Sequence, residues 1–474
     1  MGRPTTVKKP EETKPNPWPF RLWLISIIGF VLVLSNIVTA WSVKHVLASG
    51  GARFTEAQSA IVLGISNFPN NTKQAMLQLI SILNDEPTQL LIEKSEAEKP
   101  HWKRLFPSAE DDGYLLLSGV HRGDKQAAIS LIRIRDGEVM ARWRPDWDEV
   151  LRQTHKTKYS NVTRTNVLPV HPILLADGDV VFNTWETMAR VGVCDSKPKW
   201  VLGEIMHHSN ELDYNGNIWA PSLATDAFPD NPWLTEQIRD DALAEVSPDG
   251  KLLRKVSFAK ILRDNGLEAL MLGTKGLRLH DDPIHLNQIT VADKTTDHWQ
   301  RGDLLLSSRN MSTIFLYRPS TQKIIWYKTG PWMNQHSAAF VGDHQISVFD
   351  NNVYANDKPS NLRSFVAPDS INRVMVYDFK TAQVSEPYAE LLAEAKPISV
   401  TQGRAQILED GGLFIEETNF GRHLRFSKDK MLWSRINDYD DERIGRVAWS
   451  RYLTAEEVAE PLKAISNLNC NGKK

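Results

Sequence analysis

Residues Gly302–Tyr327 read GDLLLSSRNMSTIFLYRPSTQKIIWY. A Gly-Asp turn opens the stretch, and the apolar run Leu304–Leu306 follows. Polar residues break it at Arg309-Asn310. A second run covers Ile314–Tyr317, Pro319-Ser320-Thr321 supplies a turn, and a third run ends on Trp326-Tyr327. Short apolar runs bounded by turn residues read as β-strands joined by tight turns. The same phrase recurs on both sides. Upstream it appears as DDGYLLLSG with SLIRIRDGEVMARW ending at Trp143, then as HPILLADGDVVFN with a strand ending at Trp200. A third copy is HSNELDYNGNIWAPS with ALAEVSPDGKLLRKV. Downstream stand HSAAFVGDHQISVFDNN with RVMVYDFKTAQV, and GRAQILEDGGLFIEETN with RHLRFSKDKMLW ending at Trp433. Arg-Asp-Gly-Glu and Pro-Asp-Gly-Lys are hairpin turns. A β-sandwich would use similar strands but would not repeat one phrase. Six copies of a four-stranded unit give an all-β fold, a six-bladed β-propeller.

Bulk composition narrows the partners. The formal net charge is −2 over 474 residues, so no basic excess exists to neutralise a nucleic-acid backbone. The 15 Trp suit an architecture that packs aromatics between sheets. Cys194 and Cys470 lie far apart; two cysteines make neither a disulfide scaffold nor a zinc site, and unpaired thiols are expected.

Ahead of the repeats, Leu22–Trp41 (LWLISIIGFVLVLSNIVTAW) carries no charge and is long enough to cross a bilayer as a helix. Trp23 and Trp41 stand near its ends. Arg3, Lys8, Lys9, Lys14 and Arg21 precede it, so the N-terminus is expected in the cytoplasm and the bulk outside. Val38-Thr39-Ala40 would also pass as a signal-peptide cleavage site, which exports the domain equally. Thr55–Gln58 resembles a capping box, and the apolar residues after it suggest a short helical stalk. The expected organisation is a cytoplasmic tail (1–21), a transmembrane helix (22–41), a helical stalk or linker (42–100), the propeller (101–455) and a C-terminal tail (456–474). For a bacterial chain this places the propeller in the periplasm, held at the inner membrane by a single pass.

The histidines fall at one place in the repeat. His171, His208, His285 and His336 each open the first strand of their unit. His171 stands seven residues before Gly178, His208 eight before Gly216 and His336 six before Gly342. First strands line the central channel of a propeller, so these residues should converge on its mouth. Arg404 falls near the same place in the sixth unit. Arg309, Asn183, Asn351 and Asn419 end the following strands. A mouth rich in imidazole, amide and guanidinium suits an anion. Such a ring can bind a metal, hold an anionic ligand without chemistry, or supply a nucleophile with acid and base. A guanidinium beside the ring repels a cation, which favours anion chemistry with no metal and no cofactor. Asp282 and Glu416 are carboxylates without an assigned place.

Several stretches together resemble the arylsulfotransferase family over residues 165–435. They are MHHSNEL around His207 and His208, DPIHLNQI around His285 and Asn287, LLLSSRNMSTIFLY around Arg309, and WMNQHSAAF around His336 followed by ISVFDNN with Asn351. The resemblance implies nucleotide-independent transfer of a sulfuryl group from a phenolic sulfate ester to a phenol or other hydroxyl acceptor. It implies that His336 is transiently sulfated. It further implies that His208, His285 and Arg309 bind and polarise the sulfate, with His207, His171, Asn287 and Asn351 as substrate-binding neighbours. The alternative is a non-catalytic propeller that binds sulfated or anionic ligands, or an envelope partner.

Overall fold

The computed structural model describes residues 86–468, apart from 88–89, 155–161, 274–280, 357–363, 367–370 and, within 225–237, all but Phe228, Pro229, Asn231 and Leu234; ahead of them it describes Ile27, Phe30 and Leu34. The chain divides into residues 1–79 and 80–474, and the second unit holds all the repeats. The expected span Leu22–Trp41 lies outside the described residues except for those three helical positions. The helices expected from Thr55 also lie outside. Among the described residues no helix is long and apolar enough to cross a membrane.

Six four-stranded antiparallel sheets follow one another. Blade 2 runs Val170–Leu174, Val180–Asn183, Met188–Val191, Pro198–Leu202. Blade 3 runs Glu211–Leu212, Ile218–Ala224, Asp240–Val246, Leu252–Ser257. Blade 4 has Leu286–Val291, Leu304–Ser308, Thr313–Arg318 and Lys323–Thr329. Blade 5 has His336–Val341, Gln345–Asp350, Arg373–Asp378 and Gln383–Ser385. Blade 6 has Arg404–Ile407, Leu413–Glu417, Arg422–Phe426 and Met431–Ile436. Blade 1 is composite: Tyr114–Gly119, Ala128–Arg133 and Val139–Trp143 are completed by Arg451–Leu453, which pairs Tyr114 with Leu453 and Leu116 with Arg451. The repeat phrase DDGYLLLSG therefore holds a second strand, and its inner strand comes from the far end of the chain.

Burial explains the sequence pattern. Leu304–Ser308 is buried throughout, because blades stack on both of its faces, and it reads as an unbroken run. The outer strand Lys323–Thr329 alternates exposed and half-buried residues. The core lies between blades. One apolar cluster joins Trp219 and Leu243 of blade 3 to Leu306 and Phe315 of blade 4. Others join blades 1 and 2, 2 and 3, 4 and 5, 5 and 6, and 6 and 1. Tryptophans of the outer strands tie blades 1, 2 and 6 each to a turn of the next blade. Trp143 Nε1 donates to Gly178 O (3.0 Å), Trp200 Nε1 to Pro248 O (3.1 Å) and Trp433 Nε1 to Asp111 Oδ2 (2.7 Å). A buried indole N–H needs such an acceptor. The coupling of Trp to the next turn is why the two recur together in the phrase.

Three expectations are corrected. Within the stretch read as helical stalk, Leu91–Glu93 is a strand paired with Arg443–Gly445. The expected C-terminal tail begins with a helix, Ala455–Asn467, opened by a capping box at Thr454 and Glu457. Its Val458, Leu462 and Ile465 pack on the cluster between blades 1 and 2. Cys194 is disulfide-bonded rather than free, and the sequence holds one other cysteine, Cys470.

Candidate functional site

Within three residues of the start of each inner strand stands a residue in the left-handed region: Trp449 (φ 60), His171 (47), His208 (60), His285 (52), Ser337 (42) and Gly403 (117). For non-glycine residues this costs about 1–3 kcal/mol each and persists where the surroundings over-determine it. The kink breaks the strict alternation of a strand, and the rings at these positions, with that of His336 one residue ahead of Ser337, meet. His208 and His285 have centroids 5.0 Å apart, and His208 and His336 6.4 Å. One ring nitrogen from each of the three lies within 4.8 Å of the others.

Each imidazole is held by its Nδ1. Asn351 donates through Nδ2 to Ser399 O (2.8 Å) and Gln402 O (2.6 Å), which turns its Oδ1 toward His336 Nδ1 at 2.7 Å. An amide oxygen only accepts, so His336 carries its proton on Nδ1 and a lone pair on Nε2. That Nε2 is buried and has no hydrogen-bond partner among the described residues. His285 Nδ1 meets Asp282 Oδ2 at 2.6 Å. His208 Nδ1 meets His207 Nδ1 at 2.8 Å, while His207 Nε2 faces Ser222 O (3.2 Å) and Asp241 Oδ1 (3.3 Å).

Electrostatics keep the cluster near neutral. Burial, then the Arg309 charge, holds His336 well below the usual imidazole range. Burial and the neighbouring imidazoles do the same to His208. Burial lowers His207 too, with Asp241 opposing. Burial works against ionising Asp282, but the His285 bond and charge outweigh it and bring the carboxyl to about 2. Burial lowers Arg309 to about 10, so it remains a cation. Its backbone N–H donates to His285 O (3.0 Å), its Nη1 to Asn310 Oδ1 (2.8 Å), and Asn310 Nδ2 to Asp282 O (2.6 Å).

The two most specific sequence pieces interlock. Gln335 Nε2 donates to Ser307 Oγ (3.1 Å) and Ser308 O (3.0 Å), and Ser308 Oγ to Ile284 O (2.5 Å). This fixes His336 of blade 5 against Arg309 and His285 of blade 4. Asn287 donates to Gln335 O (2.8 Å), which gives it a bracing place behind His336.

Two aromatic residues that the sequence left unread touch the cluster. Trp185, half-buried and left-handed (φ 70), lies edge-on to His208 at 4.3 Å. Trp449 lies 6.1 Å from His208, 6.2 Å from His336 and 5.4 Å from His171. Its indole nitrogen is buried and without a hydrogen-bond partner among the described residues. Glu416, unplaced from sequence, accepts the backbone N–H of Trp449 (2.7 Å) and of Ser450 (2.6 Å), with His423 at 3.2 Å. Recognising Arg451–Leu453 as a repeat strand would have exposed Trp449, since it sits where the histidines sit.

His171 belongs elsewhere. Behind Trp449, its Nδ1 accepts from Asn210 N–H (2.9 Å), while Arg404 Nη1 and Glu211 Oε1 (3.7 Å) face its Nε2. Arg451 bonds Glu211 at 3.1 Å. The structure thus gathers His207, His208, His285, His336, Arg309 and Asn351, and sets His171 and Arg404 apart. An open cavity of about 430 Å³ lined by Lys99, His101, Ile371 and Lys396 includes none of the cluster.

Comparison with known proteins gives three results. A family model described as arylsulfotransferase (ASST) matches residues 171–438, more than half of the chain. No curated protein matches. Among solved structures, a protein of unknown function from Bacteroides caccae is 14% identical, with a TM-score of 0.43, covering 72% of this chain and 99% of that one. The periplasmic gluconolactonase of Pseudomonas aeruginosa is 10% identical (TM-score 0.36; 72% and 99% covered). The WD40 propeller domain of Doa1 is 9% identical (TM-score 0.34; 69% and 75%).

Proposed function

Since this chain belongs to the arylsulfotransferase family, we propose that it moves a sulfuryl group from a phenolic sulfate ester to a hydroxyl acceptor through a sulfated His336, without a nucleotide donor. The observation that carries the reading is the state of His336. Its Nδ1 proton is pinned by Asn351, and its Nε2 lone pair is buried, unpartnered among the described residues and close to a guanidinium. In the first step His336 Nε2 bonds to sulfur and the ester S–O bond breaks. The phenolate leaves with a proton from His285, whose Nδ1 Asp282 holds. In the second step the acceptor hydroxyl gives up its proton to His285 and bonds to sulfur, and the N–S bond breaks. Sulfuryl transfer, like phosphoryl transfer, spreads charge over the non-bridging oxygens, and the Arg309 fork meets two of them. Asp282 keeps His285 oriented through its Nδ1.

Replacing His336 by Asn is expected to abolish phenol release from a chromogenic aryl sulfate. It should also abolish the sulfuryl mass adduct that the wild-type protein shows before acceptor is added. Full turnover in a folded H336N protein would remove His336 as the nucleophile. A wild-type protein with no turnover on any aryl sulfate would favour the binding-only reading.

The same reading places the propeller in the periplasm, with Leu22–Trp41 as a single-pass inner-membrane anchor. A disulfide at Cys194 suits an oxidising compartment. Deleting residues 1–41 and substituting a cleavable signal is expected to move the protein from the membrane to the soluble fraction. Retention at the membrane would count against the anchor.

A further inference from the structure

We propose that the three imidazoles are also a site for a divalent transition-metal ion of the Zn²⁺ or Cu²⁺ class, which excludes the sulfate ester and shuts the protein off. The binding itself rests on geometry alone; the inhibition rests on the proposed function.

His208, His285 and His336 each offer one ring nitrogen, all within 4.8 Å of one another. They come from the starts of the inner strands of three consecutive blades, so a packed scaffold sets their spacing. The Nδ1 atoms are committed to His207, Asp282 and Asn351. That leaves the three Nε2 atoms for a ligand. Metal-bound histidines nearly always pass their second ring nitrogen to an orienting group, often a carboxylate, and here all three do so. His207 places its own proton toward Ser222 O and Asp241, so His208 donates from Nδ1 and keeps a lone pair on Nε2. His336 holds the same tautomer through Asn351. Three nitrogen ligands with a fourth position open is the arrangement in which three histidines hold zinc.

Zn–N bonds of about 2.0–2.1 Å in a tetrahedron require ligand nitrogens about 3.3 Å apart. The cluster must therefore contract by about 1.5 Å at most, within reach of small ring rotations. The guanidinium of Arg309 repels a bare cation. Asp282 offsets that charge, and the open fourth position takes chloride or hydroxide, which a guanidinium can bond. The arginine thus argues against a permanently bound metal cofactor and is compatible with an exchangeable metal–anion pair. Imidazole ligands select Zn²⁺, Cu²⁺ and Ni²⁺ over Mg²⁺ and Ca²⁺. A bound metal consumes the His336 Nε2 lone pair, so occupancy and turnover are mutually exclusive.

The test titrates metal-stripped full-length protein with Zn²⁺ against a chelating dye, and with Co²⁺ to read its ligand-field bands. The expected result is one equivalent bound, with tetrahedral Co²⁺ bands and no response to Mg²⁺ or Ca²⁺. His285→Ala should weaken Zn²⁺ binding at least tenfold, while His344→Ala, at an exposed turn of blade 5, should leave it unchanged. Asp282→Asn, which keeps the imidazole, should weaken it about tenfold, and it serves if His285→Ala does not fold. Unaltered Zn²⁺ affinity in both site variants, octahedral Co²⁺ bands, or no binding would each overturn the proposal. Zn²⁺ binding in a protein without sulfuryl turnover leaves the metal site standing and removes the proposed function. Turnover that Zn²⁺ does not touch does the reverse.

Discussion

The histidine triad of blades 3 to 5 and the His171 group beside it use the same position of the repeat and end in opposite states. In the triad every Nδ1 is engaged and His336 Nε2 is left open in a buried space. In the other group Asn210, Arg404 and Glu211 close around both nitrogens of His171, and Arg451 bonds Glu211. Burial depresses the basicity of His171 and of His336 alike. What separates them is satisfaction: one group has exhausted its hydrogen bonds internally and can only brace, while the other retains a lone pair that no described residue engages. Repeat position brings a residue to the channel mouth. The neighbouring blades decide whether it stays available.

The sharpest way to break this contrast is to alter the two arginines in parallel. Arg309→Lys should lower aryl sulfate turnover about 100- to 1,000-fold, the usual cost of one lost oxyanion donor. Arg404→Lys should change turnover by less than about threefold and appear mainly as lost thermal stability, because it disturbs a closed buried group. Equal kinetic effects would erase the distinction between the groups.

A smaller effect tests the wall between them. Trp449→Phe keeps the ring against His171, His208 and His336 and removes only the indole N–H. If that N–H donates to bound substrate, turnover should fall about fivefold with the melting temperature nearly unchanged, since one hydrogen bond contributes about 1 kcal/mol. An unchanged rate would leave Trp449 as packing alone.

A last test concerns stability rather than chemistry. Burial raises the Asp240 carboxyl from 3.8 to about 7, next to Asp241, which supports His207. The folded protein therefore holds a proton that the unfolded chain releases above about pH 4. Stability from this group is complete below that pH and is lost as pH rises toward 7. Asp240→Asn should flatten that slope, by at most about 4 kcal/mol across the window, as read from denaturant melts at several pH values. A slope unaltered by the substitution would place the pH dependence elsewhere.

The propeller was legible because its periodic phrase has two physical causes, the doubly buried middle strand and the Trp that reaches the next blade's turn. The triad and Arg309 were legible because repeat position maps to one face. Asp282 lies three residues from His285, and its role could have been read from that spacing. Asp241 acts through a contact with a neighbouring strand that sequence distance hides, and Asn351, named from sequence as a substrate-binding neighbour, instead holds His336 Nδ1. Trp449 was hidden because its strand, Arg451–Leu453, is three residues long and separated from the rest of blade 1 by most of the chain. The Cys194 disulfide was hidden for a related reason: sequence separation says nothing of distance in space.

That composite blade has a consequence for how the protein is made. Blades 2 to 6 can assemble in order as the chain emerges, from contacts between neighbours in sequence. The first blade has to wait with a bare edge until Arg451–Leu453 arrives, and such edges are where β-proteins aggregate. Trp449 reaches the imidazoles in the same event. A chain interrupted before that point would carry all three histidines and still lack a wall of the site, so maturation of the site is tied to completion of the ring.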